Sequence, residues 1–414
     1  MTESIFSHAF PNGLVLVAEP MAWLESAAFT VMVPAGCVHD APRRSGLTSF
    51  TCEMALRGAG DRDSRRFIQD LDNLGVERSE SVSDAHTRFS GATLAANLPG
   101  TLAIFADVLR RPHLPDEQLE AARQVMFQEL QSVEDEPAQK VMIELRRSHY
   151  PDPWGRPSQG EQEALEQITL DEIRQQFRQT YRPNGAILGV AGRFDWPRLK
   201  DLVGELLGDW EAGETAPVDE TPRLGKHRHL TYDSQQTQIG ISYPSVPYRH
   251  PDYFRAWGGV GVLSSGSSAR LFTEVRERRG LCYSVYAMYH TLRHCGGVFC
   301  YAGTSADRAQ ETLDVTLGEL SRLAQGVEAQ ELRRLKARIK SALIMQQESS
   351  SSRSSALARD WYHLGRARTL QEVSRLVDDL TCDSINAYLA EHPPGDFTVV
   401  TLGPRELEVP VGVS

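Results

Sequence analysis

The chain has 414 residues and a net charge of −11, with 41% hydrophobic and 24% charged residues. This composition is that of an ordinary globular protein, and the length suits two domains of roughly 200 residues each. The negative charge argues against nucleic acid or an anionic membrane as a partner, because both require a basic face. No run of about 18 apolar residues occurs, so we expect no membrane-spanning helix.

The N-terminal residues lack the basic start and the uninterrupted apolar stretch of a signal peptide, which predicts a cytoplasmic protein. The six cysteines form neither a C-x-x-C pair nor a dense framework. We therefore expect reduced and mostly buried thiols at Cys37, Cys52, Cys282, Cys295, Cys300 and Cys382.

The first half of the chain alternates between strand and helix patterns. Apolar alternation on both sides of Asn12-Gly13 predicts a hairpin in residues 5–18. Helical spacing bounded by capping residues, glycine or proline predicts the helices that follow. The predicted elements are strands at 27–36, 86–94 and 185–192, and helices at 46–57, 64–75, 98–112, 115–137, 169–181 and 196–210.

Residues 212–226 are small, polar and Pro-containing without periodicity, which predicts a linker between domains at 1–211 and 227–414. The second half repeats the order of the first. Residues 170–192 and 382–404 both have the pattern of a helix, a Pro-Gly turn and a β-rich strand. Two homologous α/β halves are the simplest interpretation.

In the second half, two stretches rich in serine or glycine are predicted to be irregular. Gly258 to Ser268 is expected to be a flexible loop at a tight strand-to-helix turn, without the lysine of a phosphate-binding loop. The serine run at 349–355 is expected to be exposed and mobile at a helix break. The predicted elements are strands at 238–246, 281–289 and 296–304, and helices at 269–279, 306–324, 328–349 and 356–365.

The helix predicted between Gly46 and Gly58 places Ser49, Cys52 and Glu53 on one face, about one turn apart. In an H-x-x-E-H zinc helix, this spacing holds two metal-binding histidines and a glutamate that serves as general base. The frame GLxxFxxxMxxxG resembles the metal helix of the pitrilysin/insulinase metallopeptidases. Ser49, Cys52 and Glu53 stand where that family has His, Glu and His.

Glu129 lies in VMFQEL, which resembles the family segment that supplies the third zinc ligand. The resemblance implies a degenerate zinc site at Ser49, Cys52, Glu53 and Glu129, with no metal in this chain. Two alternatives remain open. In the first alternative, Cys52, Glu53 and Glu129 form a substitute metal site that lacks imidazole and a separate general base. In the second alternative, Cys52 is a nucleophile, although no histidine lies one helical turn away to activate it.

The segment SDAHTRF at 83–89 resembles the part of the family that presents an edge strand to the peptide substrate. Ser79, Glu80 and Ser81 precede it, where catalytic members have an Asn-aromatic stretch. The charge of Glu80 argues against a preserved peptide groove. We expect His86 to be a structural histidine of the strand.

The stretch LFTEVRERRGLCYSV has the pattern of a helix, a cap at Gly280 and a strand. Taken alone, Arg276 would be a solvated charge near a helix C-terminus. Active members of the resembling family have an arginine here and a tyrosine seven positions later, and Arg276 and Tyr283 match both types and the spacing. The resemblance implies that Arg276 clamps a substrate carbonyl or carboxylate and that Tyr283 donates a hydrogen bond to a developing oxyanion.

The resemblance covers nearly the whole chain and implies an α+β fold. It would consist of two homologous α/β-roll domains, each an antiparallel-rich sheet flanked by helices, joined by a linker in a clam-like arrangement. Some bacteria make short members of this family as two-chain complexes. One subunit carries H-x-x-E-H and the other carries the arginine and the tyrosine, and this chain has the pattern of the second kind.

Three functional hypotheses follow from the sequence. The first is a non-catalytic subunit of a heterodimeric peptidase, with a peptide substrate and a homologous partner that holds the zinc. The second is a structural or peptide-binding homodimer that resembles the core subunits of respiratory complexes. The third is a self-sufficient metalloenzyme that uses Cys52, Glu53 and Glu129 as ligands.

Overall fold

The computed structural model describes residues 4–214, 217–223 and 225–410. Residues 215, 216 and 224 of the predicted linker lie outside the described residues. The strands are β1 Phe6–Ala9, β2 Val15–Pro20, β3 Ser26–Val33, β4 Gly58–Ala59, β5 Arg62–Asp63, β6 Glu77–Val82, β7 Thr87–Leu94, β8 Ile187–Gly192, β9 His227–Thr231, β10 Gln236–Ser245, β11 Cys282–Thr291, β12 Gly296–Ser305 and β13 Thr398–Gly403.

The α-helices lie between and beyond these strands, short 3₁₀ segments occur beside them, and the segment Phe272–Glu277 is a π-helix. None of the helices in the described ranges combines the length and the hydropathy that crossing a membrane requires. The α-helices are α1 Leu47–Ala55, α2 Ser64–Asn73, α3 Leu98–Arg110, α4 Leu119–Glu134, α5 Pro137–His149, α6 Gln162–Gln167, α7 Leu170–Thr180, α8 Trp196–Leu207, α9 Tyr253–Ser264, α10 Ala309–Arg322, α11 Ala329–Gln346, α12 Ser350–Leu364, α13 Leu370–Asp378 and α14 Cys382–Glu391.

The two main sheets repeat one topology. In the first, the strand order is β1-β2-β8-β3-β7-β6, and in the second it is β11-β12-β10-β13-β9. Read from its other end, the second sheet matches the first from β2 onward, and in each the corresponding outer pair, β2 with β8 and β9 with β13, is parallel. The other pairs in both sheets are antiparallel. The predicted α+β class with antiparallel-rich sheets is confirmed.

The chain forms two compact units, and each unit takes segments from both halves of the sequence. The first unit consists of three segments: the described residues up to Ser132, Arg156–Asp219 and Ile344–Leu370. The second unit consists of Val133–Gly155, Glu220–Leu343 and the residues from Gln371 onward. The sequence predicted two continuous domains, at 1–211 and 227–414. That prediction does not include the exchange of segments between the two units.

The exchange concerns two helices, each of which covers one face of a sheet. In the first unit, Leu16 and Ala18 of β2 belong to the large core, whereas Val17 between them packs with Leu357 and Ala358 of α12. In the second unit, α5 takes the same role, since its buried side chains pack with Phe299, Tyr301, Val400 and Leu402. Both faces of the inner strands, such as β3, β8 and β13, are therefore buried, which explains their nearly continuous apolar sequences.

The serine run at 349–355 differs from its prediction as an exposed mobile stretch. The Ser349 hydroxyl caps α12 by accepting a hydrogen bond from the Ser352 amide, and Ser350 and Ser354 are buried. The Ser354 hydroxyl lies 3.1 Å from that of Thr30 on β3. A methyl group added at Gly189 would lie 2.3 Å from the Ser354 carbonyl oxygen. Small residues on both sides therefore allow α12 to approach the sheet closely.

A buried ion pair joins α12 to β2. The Arg353 guanidinium binds the Glu19 carboxylate through Nε at 3.0 Å and through Nη2, and only 2% and 3% of these two residues is exposed. We expect Arg353→Met to lower the free energy of unfolding by about 3–5 kcal/mol, because it leaves a buried carboxylate without its counter-charge. Urea denaturation followed by tryptophan fluorescence measures this loss.

The matched control is the double variant Glu19→Leu with Arg353→Met, which removes both charges. It is expected to recover most of the lost stability, since two apolar side chains of similar volume need no partner. A single variant that unfolds at the same urea concentration as the unmodified chain would contradict the proposed weight of this pair.

Candidate functional site

The helix α1 carries the positions that resemble a zinc motif, and its start is fixed by Asp40. This carboxylate accepts hydrogen bonds from the Gly46 amide at 2.8 Å, the Thr48 amide at 2.9 Å and the Thr48 hydroxyl at 2.6 Å. Gly46 has φ +95° and lies against Gly160, so a side chain at either glycine would collide with the other backbone. The predicted helix at 46–57 is confirmed.

Asp40 makes the stability of α1 dependent on pH. Burial raises the pKa of Asp40 from 3.8 to about 6, although its hydrogen bonds and the nearby Arg156 lower it. The folded protein therefore holds the proton more tightly than the unfolded chain does. We expect the contribution of Asp40 to the free energy of unfolding to be highest below pH 4. This contribution falls by roughly 2–3 kcal/mol as the pH rises past 6.

Urea denaturation at several pH values measures this slope, and Asp40→Asn is the control. The variant loses part of the hydrogen bonding at the start of α1, so it is less stable, but its stability lacks the carboxyl-dependent component between pH 4 and 6. Identical pH profiles for the variant and the unmodified chain would contradict the assignment to Asp40.

At the four positions that correspond to zinc-site residues, the side chains interact with other groups of the protein. The Ser49 hydroxyl donates a hydrogen bond to the Ser158 carbonyl at 2.6 Å. Glu53 forms an ion pair with Arg57, with oxygen-to-nitrogen distances of 2.7 and 3.1 Å. The pKa of Glu129 is raised by partial burial and by the charge of Glu53.

Cys52 holds its thiol proton more tightly than an ordinary cysteine does. Its side chain is buried beside Tyr181, and burial raises its thiol pKa, with further increases from the charges of Glu80, Glu53 and Glu129. A neutral thiol is a poor metal ligand and a poor nucleophile. No group of three or more His, Cys, Asp or Glu side chains in the described ranges is placed to hold a metal ion. The residues of this site therefore do not fit a catalytic zinc ion.

The residues around the predicted edge segment form a hairpin. Ser79, Glu80 and Ser81 lie on β6, an outer strand of its sheet that pairs with β7. Glu80 binds Arg78 of the same strand at 2.5 Å. His86 precedes β7, is buried, and packs edge-to-face on Tyr362 with a ring-centroid distance of 4.3 Å.

Arg276 lies in the π-helix Phe272–Glu277, where an ordinary α-helix was predicted. Its guanidinium carbon is 4.8 Å from the ring centroid of Phe272 and 4.8 Å from that of Tyr283. Cation–π attraction to both rings stabilises this arrangement. Within the described part of the chain, Arg276 forms no ion pair. π-Helical turns are rare and occur often at functional sites.

The other two arginines of this segment, Arg278 and Arg279, share one carboxylate. Glu274 binds Arg278 at 2.6 Å and Arg279 at 2.8 Å. The hydrogen bond from Arg279 and the surrounding positive charge hold the pKa of Glu274 below its ordinary value. Glu274, two residues before Arg276, is thus already engaged, and the adjacent Glu277 forms no ion pair with Arg276 within the described residues, which leaves Arg276 available to a ligand.

The spacing of seven residues between Arg276 and Tyr283 has a structural cause. Gly280 has φ +58°, and the amides of Gly280 and Leu281 donate to the carbonyls of Arg276 and Val275. This closing turn reverses the chain after the π-helix. The following bulge in β11 leaves Tyr283 without a partner in β12, and 83% of Tyr283 is exposed. The turn and the bulge together place Tyr283 over Arg276.

Phe272 is the member of this cluster that the sequence did not single out. A phenylalanine four residues before an arginine in a helix is a spacing at which side chains meet. That signal is present in the sequence, but the same spacing is common in helices without any site.

The glycine-rich stretch Gly258 to Ser268 was predicted to be a flexible loop, and this prediction is wrong for most of its length. Its residues up to Ser264 are the end of α9. A methyl group added at Gly261 would lie 2.6 Å from Leu335, and one at Gly258 would lie 3.2 Å from Ile385. The glycines therefore serve close packing of helices, and only the last four residues of the stretch lie beyond the helix.

The candidate residues fall in different units. Ser49, Cys52, Glu53 and Glu129 belong to the first unit, where their charges are close enough to influence one another. Arg276 and Tyr283 belong to the second unit.

Comparison with known proteins gives matches over most of the chain. Residues 17–154 match the sequence profile described as Insulinase (Peptidase family M16), and residues 167–339 match that described as Peptidase M16 inactive domain. An uncharacterized zinc protease of Bacillus subtilis is 26% identical over 399 residues, covering 95% of this chain and 97% of the relative. An uncharacterized zinc protease of Mycobacterium tuberculosis is 27% identical over 411 residues, covering 95% and 92%.

Solved structures are similar in fold. A peptidase M16 inactive domain from Pseudomonas fluorescens matches with a TM-score of 0.89 at 19% identity, covering 98% of this chain and 99% of that one. A protease from Helicobacter pylori matches with a TM-score of 0.87 at 19% identity, covering 98% and 100%. A chain of complex III2 from Candida albicans matches with a TM-score of 0.82 at 16% identity, covering 97% and 96%.

Proposed function

Since this chain belongs to the insulinase family of peptidases, M16, we propose that it is the non-catalytic subunit of a two-chain zinc peptidase. The partner would be a homologous subunit with an intact H-x-x-E-H helix and a bound zinc ion. This chain would contribute Arg276 and Tyr283 to the binding of a peptide substrate. The zinc ion of the partner supplies the activated water for hydrolysis.

The observation that carries this proposal is the state of Arg276. Its guanidinium is held between two aromatic rings and has no carboxylate partner in the described residues. A positioned arginine of this kind can bind a substrate carbonyl or carboxylate, and the exposed hydroxyl of Tyr283 can donate to an oxyanion. In contrast, a zinc site would have to break existing interactions of the side chains of Ser49, Cys52 and Glu53.

Co-expression with a zinc-bearing homologue from the same organism tests this proposal. We expect the two chains to purify together and to cleave a quenched fluorescent peptide, whereas this chain alone cleaves none. The partner alone is expected to be much less active, because peptide hydrolysis requires charge stabilisation opposite the metal-bound water. Zinc-dependent cleavage by this chain alone would contradict the proposal. A stable homodimer without a zinc-bearing partner would favour the structural alternative.

A further inference from the structure

Phe272 is a half-buried aromatic side chain that has no place in the hydrophobic core of its unit. Its neighbours along the chain, Leu271 and Val275, are buried core residues. Within the described residues, Phe272 is neither a member of a core cluster nor one of the partly buried side chains packed against one. Core packing, the usual reason for a phenylalanine on a helix, therefore does not account for this ring.

The contact that Phe272 does make is with Arg276. The guanidinium carbon lies 4.8 Å from the centroid of the Phe272 ring, and the two residues are four positions apart on one helical segment. In the described part of the chain, no second cation and no other aromatic ring contacts Phe272. The position of the ring is therefore best explained by the cation that it contacts.

Tyr283 contacts the same guanidinium at the same distance but is less restricted. It lies beyond the turn at Gly280, 83% of it is exposed, and its hydroxyl forms no hydrogen bond within the described ranges. Exposed side chains change rotamer within nanoseconds. Phe272 belongs to the helical segment that also carries Arg276, and it is half-buried. Of the two rings, Phe272 is thus the one that can keep Arg276 in a fixed position.

We propose that Phe272 is a positioning residue, which holds the Arg276 guanidinium ready for the substrate while the hydroxyl of Tyr283 remains free to act on it. This inference rests on the proposed function and adds a third residue to its site. An arginine side chain loses rotamer freedom when it binds a ligand, and a ring that already restricts the side chain reduces this cost. The substitution Phe272→Leu keeps an apolar side chain but removes the π-electron face that attracts a cation.

Nuclear magnetic resonance of the full chain, labelled with ¹⁵N at arginine, tests the positioning without any partner. The Nε resonance of Arg276 is identified by its loss in Arg276→Lys. We expect an order parameter above about 0.8 for this group in the unmodified chain and below about 0.6 in Phe272→Leu, with a smaller decrease in Tyr283→Ala. An Arg276 side chain that is equally ordered with and without the Phe272 ring would overturn the inference.

Peptide cleavage by the two-chain complex tests the consequence for the site. We expect Phe272→Leu to lower kcat/KM about tenfold, in line with the loss of one cation–π contact, and Phe272→Tyr, which keeps the ring face, to recover most of that loss. In an Arg276→Ala background, Phe272→Leu is expected to have less than about a twofold further effect, because its action passes through Arg276. A tenfold loss that persists in this background would show a general structural role and would overturn the inference.

Phe194→Leu is the matched control, because Phe194 is a half-buried phenylalanine that packs against the core of the first unit. This variant is expected to unfold at a lower urea concentration, and to leave the order of Arg276 unchanged and kcat/KM within about twofold. Phe272→Leu is expected to show the opposite pattern, with an unchanged urea midpoint, since its ring packs on no core.

The inference and the proposed function can fail separately. If the complex cleaves no peptide, the subunit role fails, and the resonance of Arg276 in the isolated chain still decides whether Phe272 positions it. If the complex is active and Phe272→Leu cleaves as fast as the unmodified complex, the subunit role stands and the positioning role of Phe272 fails.

Discussion

Peptide cleavage by the two-chain complex is expected to fall by about 10²–10³-fold when Arg276 is replaced by alanine. The removal of one positioned donor for the transition state typically has an effect of this size. Arg276 has no carboxylate partner within the described residues, so its removal breaks no ion pair of the folded chain. The loss should therefore appear in kcat/KM of the complex, without a matching loss of stability.

The control for this variant is Arg278→Ala. Arg278 lies two residues away, has 67% of its side chain exposed, and binds Glu274, which Arg279 also neutralises. We expect its replacement to leave cleavage within about twofold of the unmodified complex. If Arg276→Ala and Arg278→Ala have the same activity, Arg276 does not act on the substrate.

Two further variants separate charge from geometry at the same site. Arg276→Lys keeps the positive charge but loses the planar group that stacks between Phe272 and Tyr283, so we expect it to restore only a small part of the activity. Tyr283→Phe keeps the ring over Arg276 and removes the hydroxyl. A fall of about 10²-fold in kcat with little change in KM would be the signature of an oxyanion donor.

The fold could be predicted from the sequence wherever apolar spacing and punctuating residues agree. The helix between Gly46 and Gly58 and the hairpin at Asn12-Gly13 are examples. Strand β6 was not predicted, because its residues are polar and it lies at the edge of its sheet, where burial imposes no alternation. Helix α5 was not predicted: the helix predicted at 115–137 ends at Pro137, which is the first residue of α5.

The serine run before α12 shows a second limit of prediction from composition. Consecutive serines resemble a mobile linker, yet Ser350 and Ser354 are buried against the sheet of the first unit. Their small size permits close approach, and hydrogen bonds to other hydroxyl groups satisfy them. Such contacts join residues more than 300 positions apart, so no local pattern could reveal them.

Residue type and spacing in the sequence indicated which residues form the candidate site. They did not indicate how the side chains are arranged there. The sequence pointed to Arg276 and Tyr283, whereas the π-helix and the ring of Phe272 appear only in three dimensions. An insertion of one residue in a helical turn shifts side chains by a large angle without changing the apolar pattern. The role of Arg276 and Tyr283 in catalysis stays a prediction that the variants above address.

Restoring the zinc motif is expected to have the largest effect on the first unit. In the triple variant Ser49→His, Cys52→Glu and Glu53→His, two imidazoles would stand one turn apart on α1, near the carboxylate of Glu129. We expect binding of about one zinc ion per chain, because three protein ligands suffice for a site that leaves one position open to water. Elemental analysis of protein purified without chelator measures the zinc content, and the unmodified chain is expected to contain none.

Adding Glu129→Gln to the triple variant provides the control. This change removes the third ligand and keeps nearly the same size, so zinc binding should become much weaker and more easily reversed by a chelator. The physical argument is that α1 still has the backbone and spacing of a metal helix, while its side chains have taken other partners. Releasing Ser49 from Ser158 and Glu53 from Arg57 breaks exposed or half-buried contacts that are individually weak compared with a zinc–imidazole bond. A folded triple variant that binds no zinc would show that the frame itself, and not only the ligand set, has diverged from a metal site.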